Sequence, residues 1–190
     1  MAYLNHIATQ NDREIFDPLV VDALWIGNSL LENITYDSTN SFLKNLIGKT
    51  KKATQLCDTL PKGLVLHHSF NSLFVNFVSD KVTPSVENFD SCCINFGKVI
   101  QVQDQSAVVL RSGIIFENNK FILTEKTEKV TADLGGISFV KNLKKNDLVS
   151  LHWGMIIEKI SFPDSMNLKK YTQINIDVIN SAKSAFSKDC

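Results

Sequence analysis

The chain has 190 residues, 44% of them hydrophobic and 21% charged, with 20 Lys and Arg against 20 Asp and Glu. That length suits one large domain or two small ones, and the apolar share is enough for a packed core without staples. A formal net charge of zero argues against a general polyanion-binding surface, which needs a basic excess or a basic stripe.

Residues 1–12 hold no basic residue and no apolar run, so no secretory signal is expected there. No stretch approaches the roughly 18 apolar residues of a membrane span. The densest, residues 19–26, is interrupted by Asp22. The expectation is a cytoplasmic protein whose Cys57, Cys92, Cys93 and Cys190 stay reduced. They show no C-x-x-C spacing, which argues against a zinc knuckle.

The first third reads helical. Over residues 17–34, Val20, Val21, Leu24, Leu30, Leu31 and Ile34 recur at helical spacings behind Pro18, with Gly27-Asn28 weakening the middle. A second helix is expected over residues 38–60, ended by Pro61-Lys62-Gly63. Residues 64–78 fit a helix through Phe70, Leu73, Phe74 and Phe77, although 74–78 suits a strand equally. Thr83-Pro84-Ser85 marks a boundary, because the residue before proline is pushed out of the helical region.

Beyond Pro84 short segments rich in Val, Ile and Phe follow one another: 93–102, 107–111, 114–116, 120–124, 129–131 and 147–160. Asp104-Gln105, Ser112-Gly113, Asn118-Asn119, Gly135-Gly136 and Asn146-Asp147 separate them as turns. So few residues cannot fill two sheets, which favours a small OB-like barrel over a sandwich. A last helix over 165–186 has the stripe Leu168, Tyr171, Val178, Ala182 and Phe186, interrupted at Asn175. The expected fold is α+β: a helical region (1–85), a small β-barrel (86–163) and a C-terminal helix (164–190).

Cys92-Cys93-Ile94-Asn95-Phe96-Gly97-Lys98-Val99 and the later Asn146-Asp147-Leu148-Val149-Ser150-Leu151-His152-Trp153-Gly154 bracket the β-rich region. In this order, with a helix behind, they resemble the HypC/HupF-type assembly chaperones of [NiFe] hydrogenases. Those begin with a cysteine, four residues, then Gly, Lys or Gln and an aliphatic residue, and later carry Gly-Asp-aromatic-Val, two residues and His-x-Gly. Cys92 has the matching distance to Gly97. The resemblance covers roughly residues 92–186. The chain departs from it in having the cysteine internal, Phe96 in place of a proline and Asn146 in place of a glycine. The whole chain, with 22–28 and 67–70, also resembles an uncharacterised bacterial family linked to hydrogenase maturation.

The resemblance implies a non-enzymatic cytoplasmic protein with no permanent cofactor. It would transiently carry an iron centre, Fe(CN)2(CO), and its partners would be a hydrogenase large subunit or other maturation proteins, not nucleic acid or membrane. A soft thiolate suits low-spin iron, so Cys92 is the first metal-site candidate and His152 the second, as a donor or a hydrogen-bond partner. Alternation over 147–153 places His152 opposite Val149, Leu151 and Trp153, facing away from the core. Gly97 and Gly154 would let backbones approach closely, with Lys98 and Trp153 beside them as binding candidates.

His67, His68 and Asn71 form a further candidate polar face. Two other functions compete. One is a cysteine-dependent hydrolase or transferase, with Cys92 as nucleophile, His152 as base and Asp147 orienting it. The other is an OB-like ligand-binding module.

Overall fold

The computed structural model describes residues 1–47, 57–58, 60–75, 85–133 and 135–186, without the side chains of 47 and 182–186. No described helix is long and apolar enough to cross a membrane. The chain divides into two compact units, one of Met1–Pro84 with Tyr171–Cys190 and one of Ser85–Lys170.

In the first unit helix α1 covers Ala2–Gln10 and α2 covers Pro18–Trp25. Asp17 starts α2: its carboxylate accepts the Leu19 N–H, and Pro18 occupies the first turn, where a missing N–H costs nothing. The helix expected over 17–34 breaks in the middle. Gly27 takes φ +93° with its N–H on the Asp22 carbonyl, and Asn28 caps a 3-10 helix over Ser29–Asn33. Helix α3 covers Tyr36–Ile47; the expected continuation through 48–56 lies outside the described residues.

A one-turn helix α4, His68–Phe70, passes into a π-helical turn, Asn71–Val75. The helical reading of 64–78 thus holds over 68–75, with 76–78 outside the described residues. Phe70, Leu73 and Phe74 are buried there, and the rings of Phe70 and Phe74 stack at 5.4 Å.

The second unit opens with helix α5, Val86–Cys92, capped by the Ser85 hydroxyl on the Asn88 N–H. Five strands follow: β1 (Asn95–Val102), β2 (Ser106–Glu117), β3 (Lys120–Thr131), β4 (Leu148–His152) and β5 (Met155–Lys159). They curl round in the order β1-β2-β3-β5-β4, and β1 pairs with β4 to bring the ends together. The β3–β5 seam is a single parallel pair, Thr131 with Met155. The result is a strongly curled five-stranded sheet with one thin seam.

Residues 112–113 are not a turn. Strand β2 runs straight through them, and all twelve of its residues pair with β3; over Gly113 lie only the flexible ends of the Lys126 and Arg111 side chains. Asn118 and Asn119, both at positive φ, make the actual turn. Val99, Ala107, Val109, Val130, Val149, Leu151 and Ile156 fill the sheet interior.

Helix α6, Phe162–Phe186, spans from the second unit into the first. Its buried positions among the described side chains are Ser165, Leu168, Tyr171, Thr172, Asn175, Ile176 and Ile179. Asn175 therefore belongs to the stripe it was expected to interrupt.

Candidate functional site

Cys92 is not on a strand. It is the last residue of α5; Cys93 turns the chain into extended conformation, and β1 begins only at Asn95. The Ser85 cap and the Cys93 N–H on the Phe89 carbonyl complete the helical ladder that absorbs this segment. Cys92 is 8% exposed and Cys93 1%.

His152 ends β4, and its ring is hydrogen-bonded to the backbone carbonyl of Cys92. Burial pushes the imidazole below its ordinary range and the carbonyl partly offsets this, so His152 is neutral near pH 7. Val149 and Leu151 are buried as expected, but burial does not alternate along β4: Ser150, on the opposite face, is fully buried as well, and His152 is half-buried rather than turned to solvent. Trp153 leaves the alternation altogether. It lies in the two-residue turn between β4 and β5, at φ 50° beside Gly154 at φ 70°, with His152 facing Met155 across the hairpin.

The Trp153 N–H donates to the Ser91 carbonyl at 2.9 Å. Two successive carbonyls at the end of α5 thus take donors from the hairpin tip, meeting the need of a helix C-terminus. The structure brings Cys92, His152 and Trp153 to one end of the sheet.

The two motif glycines work differently from each other. A Cβ on Gly97 would lie 3.2–3.3 Å from Arg111, Leu151 and Val109, so Gly97 serves close packing inside the sheet. Nothing lies within 4 Å of a Cβ on Gly154, which supplies a left-handed turn rather than the close approach expected of it. Lys98 is exposed, paired in register with Leu110 and Leu148. Asp147 is turned elsewhere: its carboxylate pairs with Lys159 at 2.8 Å and accepts the Lys144 N–H.

His67, His68 and Asn71 do not form one polar face. His67 is fully buried before α4, with Nδ1 accepting the Ser69 N–H at 3.3 Å and lying 2.9 Å from Ser69 Oγ. An amide can only donate, so Nε2 carries the proton and gives it to the Trp25 carbonyl at 3.3 Å. Asn175 donates to Ser69 Oγ at 2.8 Å and exchanges two bonds with the Val65 backbone. His68 meets the Trp25 ring edge-on and lies 3.3 Å from Ser72 Oγ, while Asn71 accepts from the Tyr3 hydroxyl. The short α4 and its π-helical turn break the regular spacing that a shared face requires.

One constellation escaped the sequence reading. Arg111 sits at the parity of the inward Ala107 and Val109, buried, and makes two parallel hydrogen bonds to Asp90 of α5 at 3.0 and 2.6 Å. Asp90 also accepts from the Ile114 N–H and from Lys126, while Glu128 takes the Arg111 Nε–H. Burial pushes the Asp90 carboxyl up, but hydrogen bonds from Arg111, Ile114 and Lys126 outweigh it and hold the group below its usual range. The cluster borders an open cleft of about 500 Å³ that Ser91 also lines. An arginine at apolar parity in a strand was the available signal.

Among the described residues, no group of three or more His, Cys, Asp and Glu side chains forms a potential metal site. The chain belongs to a family of unknown function (DUF6390), whose sequence profile matches residues 1–185. Comparisons with curated proteins and with solved structures give no match.

Proposed function

We propose that this protein is a non-catalytic assembly chaperone for a [NiFe]-hydrogenase large subunit, with Cys92 and His152 handling an iron fragment that bears CO and cyanide. The iron fragment is cargo, handed from this chain to its client. The observation that carries the reading is the hydrogen bond between the His152 ring and the Cys92 carbonyl. It makes neighbours of the cysteine and histidine of the two motifs that resemble the HypC/HupF type. A thiolate is the soft donor such iron needs, and a neutral imidazole is a competent second donor.

Cys92 is buried at the foot of α5, so loading requires the helix end and the β4–β5 turn to part. Nothing favours the hydrolase reading, because Asp147 faces Lys159 and Lys144 instead of orienting His152.

The test is anaerobic purification from cells that express the hydrogenase maturation machinery, followed by iron analysis and infrared spectroscopy. Substoichiometric iron with CO and cyanide bands is expected, abolished in Cys92→Ser and weakened in His152→Ala. Wild-type protein without those bands, together with normal hydrogenase maturation in a Cys92→Ala strain, refutes the proposal.

A further inference from the structure

Strand β3 is paired along one edge only. Its residues 120–131 all stand in register with β2, whereas on the other side Thr131 alone pairs, with Met155 of β5. Strand β5 runs on from that point past the end of β3, so no strand lies along the outer edge of residues 120–130. The Thr131 N–H points to that edge, since it donates to the Gly154 carbonyl at 2.8 Å. Backbone groups in an antiparallel ladder alternate sides from residue to residue, and the β2–β3 register holds no bulge. The N–H and C=O groups of Glu125, Thr127 and Lys129 therefore face outward as well. Their side chains are exposed, on the face opposite the buried Val130.

An open edge invites a further strand, and charged side chains ordinarily guard against this. Here the charges admit one strand in one register. Outward residues must oppose outward residues, so an antiparallel copy of β3 pairs only with its two-fold axis through a residue. Among centres within 125–129, an axis on Glu125 or Glu128 sets Glu against Glu, and one on Lys126 or Lys129 sets Lys against Lys. An axis on Thr127 sets Glu125 against Lys129 on the outer face, twice by symmetry, and Lys126 against Glu128 on the inner. Glu125-Lys126-Thr127-Glu128-Lys129 is thus complementary to itself read in reverse. Lys126 and Glu128 already hold Asp90 and Arg111 within their own copy, so the Glu125–Lys129 pairs select the register. We infer that the outer edge of β3 is a dimer interface, taken by β3 of a second copy of this chain with Thr127 opposite Thr127. The pairing adds on the order of six backbone hydrogen bonds and runs one sheet through both copies.

The experiment is sedimentation equilibrium of the full-length chain from ~5 to ~500 µM, the range in which so small an interface associates. A monomer–dimer equilibrium that weakens with added salt is expected. Thr127→Pro removes an N–H that only the dimer uses and leaves the β2 ladder whole, so this variant should keep the wild-type circular dichroism spectrum and stay monomeric. Glu125→Lys and Lys129→Glu should each weaken association at least ~10-fold, because each sets like charges face to face at two symmetric positions. The double variant E125K/K129E restores the opposite pairs in reverse and should recover wild-type affinity to within ~3-fold. These exposed charge changes test the same contact with no change of backbone. Wild-type protein that is monomeric throughout overturns the inference. A dimer that survives Thr127→Pro places the contact elsewhere and overturns it too, and so does a double variant no tighter than the single ones.

Discussion

Acidification tests the account of the first unit most directly, because one buried imidazole should dominate its response. His67 is fully buried with Nδ1 accepting, and desolvation takes its pKa from the ordinary 6.5 down to about 4, against a smaller opposing pull from the Trp25 carbonyl. The unfolded chain binds the proton below pH 6.5 and the folded chain resists it until about pH 4. Stability from the neutral imidazole is thus fully present above pH 6.5 and drains away as pH falls through that window. At 1.36 kcal/mol per pKa unit the loss is about 2 kcal/mol by pH 5 and about 3 kcal/mol by pH 4.

The assay is urea unfolding at half-unit pH steps from 7.5 to 4, run on wild type and on His67→Asn. Asparagine keeps an oxygen to accept the Ser69 N–H but does not titrate in this range. Subtracting the two curves removes the carboxylates, His6 and His152, which titrate in both. The difference should fall by about 2–3 kcal/mol between pH 6.5 and 4. A flat difference would mean that His67 is charged or solvated in the folded protein, and the tautomer argument would fail with it.

Three further substitutions probe the packing. Gly27→Ala places a methyl 2.2 Å from Tyr171 Cδ2 at φ +93°, and the Tyr171 hydroxyl, held on the Asn28 carbonyl, opposes retreat of the ring. A loss of about 2–4 kcal/mol in chemical unfolding is expected, and a loss below about 0.5 kcal/mol would refute the close approach. Asp90→Ala leaves buried Arg111 without its main carboxylate and should cost about 3–5 kcal/mol. Faster amide exchange at Ile114, whose N–H Asp90 accepts, is the local readout. Asn175→Ala removes three hydrogen bonds to Val65 and Ser69 and should cost about 2–3 kcal/mol in chemical unfolding, and a loss below about 0.5 kcal/mol would refute the network.

Much of the architecture was legible because its signals are local. Pro18 marks the start of α2 and Asn118-Asn119 the hairpin, each through the backbone conformation that the residue permits, whereas Gly27-Asn28 was read as a weak point in one helix and is in fact a break. Helix against strand was harder to read around Cys92, where Cys-Cys-Ile-Asn-Phe suits an extended run and only the Ser85 cap favours a helix. Ser112-Gly113 carried turn chemistry in a place where unbroken pairing with β3 keeps the strand extended. Asn175 looked like a break in an apolar stripe; its partners, Val65 and Ser69, lie far away in the chain.

The candidate site divides along the same line. Cys92 and His152 were singled out by the resemblance of their motifs to the HypC/HupF type, whereas the order of helices, strands and final helix followed from periodicity and turn residues, which the sequence alone determined. Tertiary structure decided what surrounds each group. It placed Cys92 at a buried helix end, turned His152 onto a backbone carbonyl, gave Asp147 to Lys159, and set Asp90 against Arg111. Local conformation depends on near neighbours in the chain. Burial, protonation and ion pairing depend on groups that only the closed sheet and the packed helices bring together.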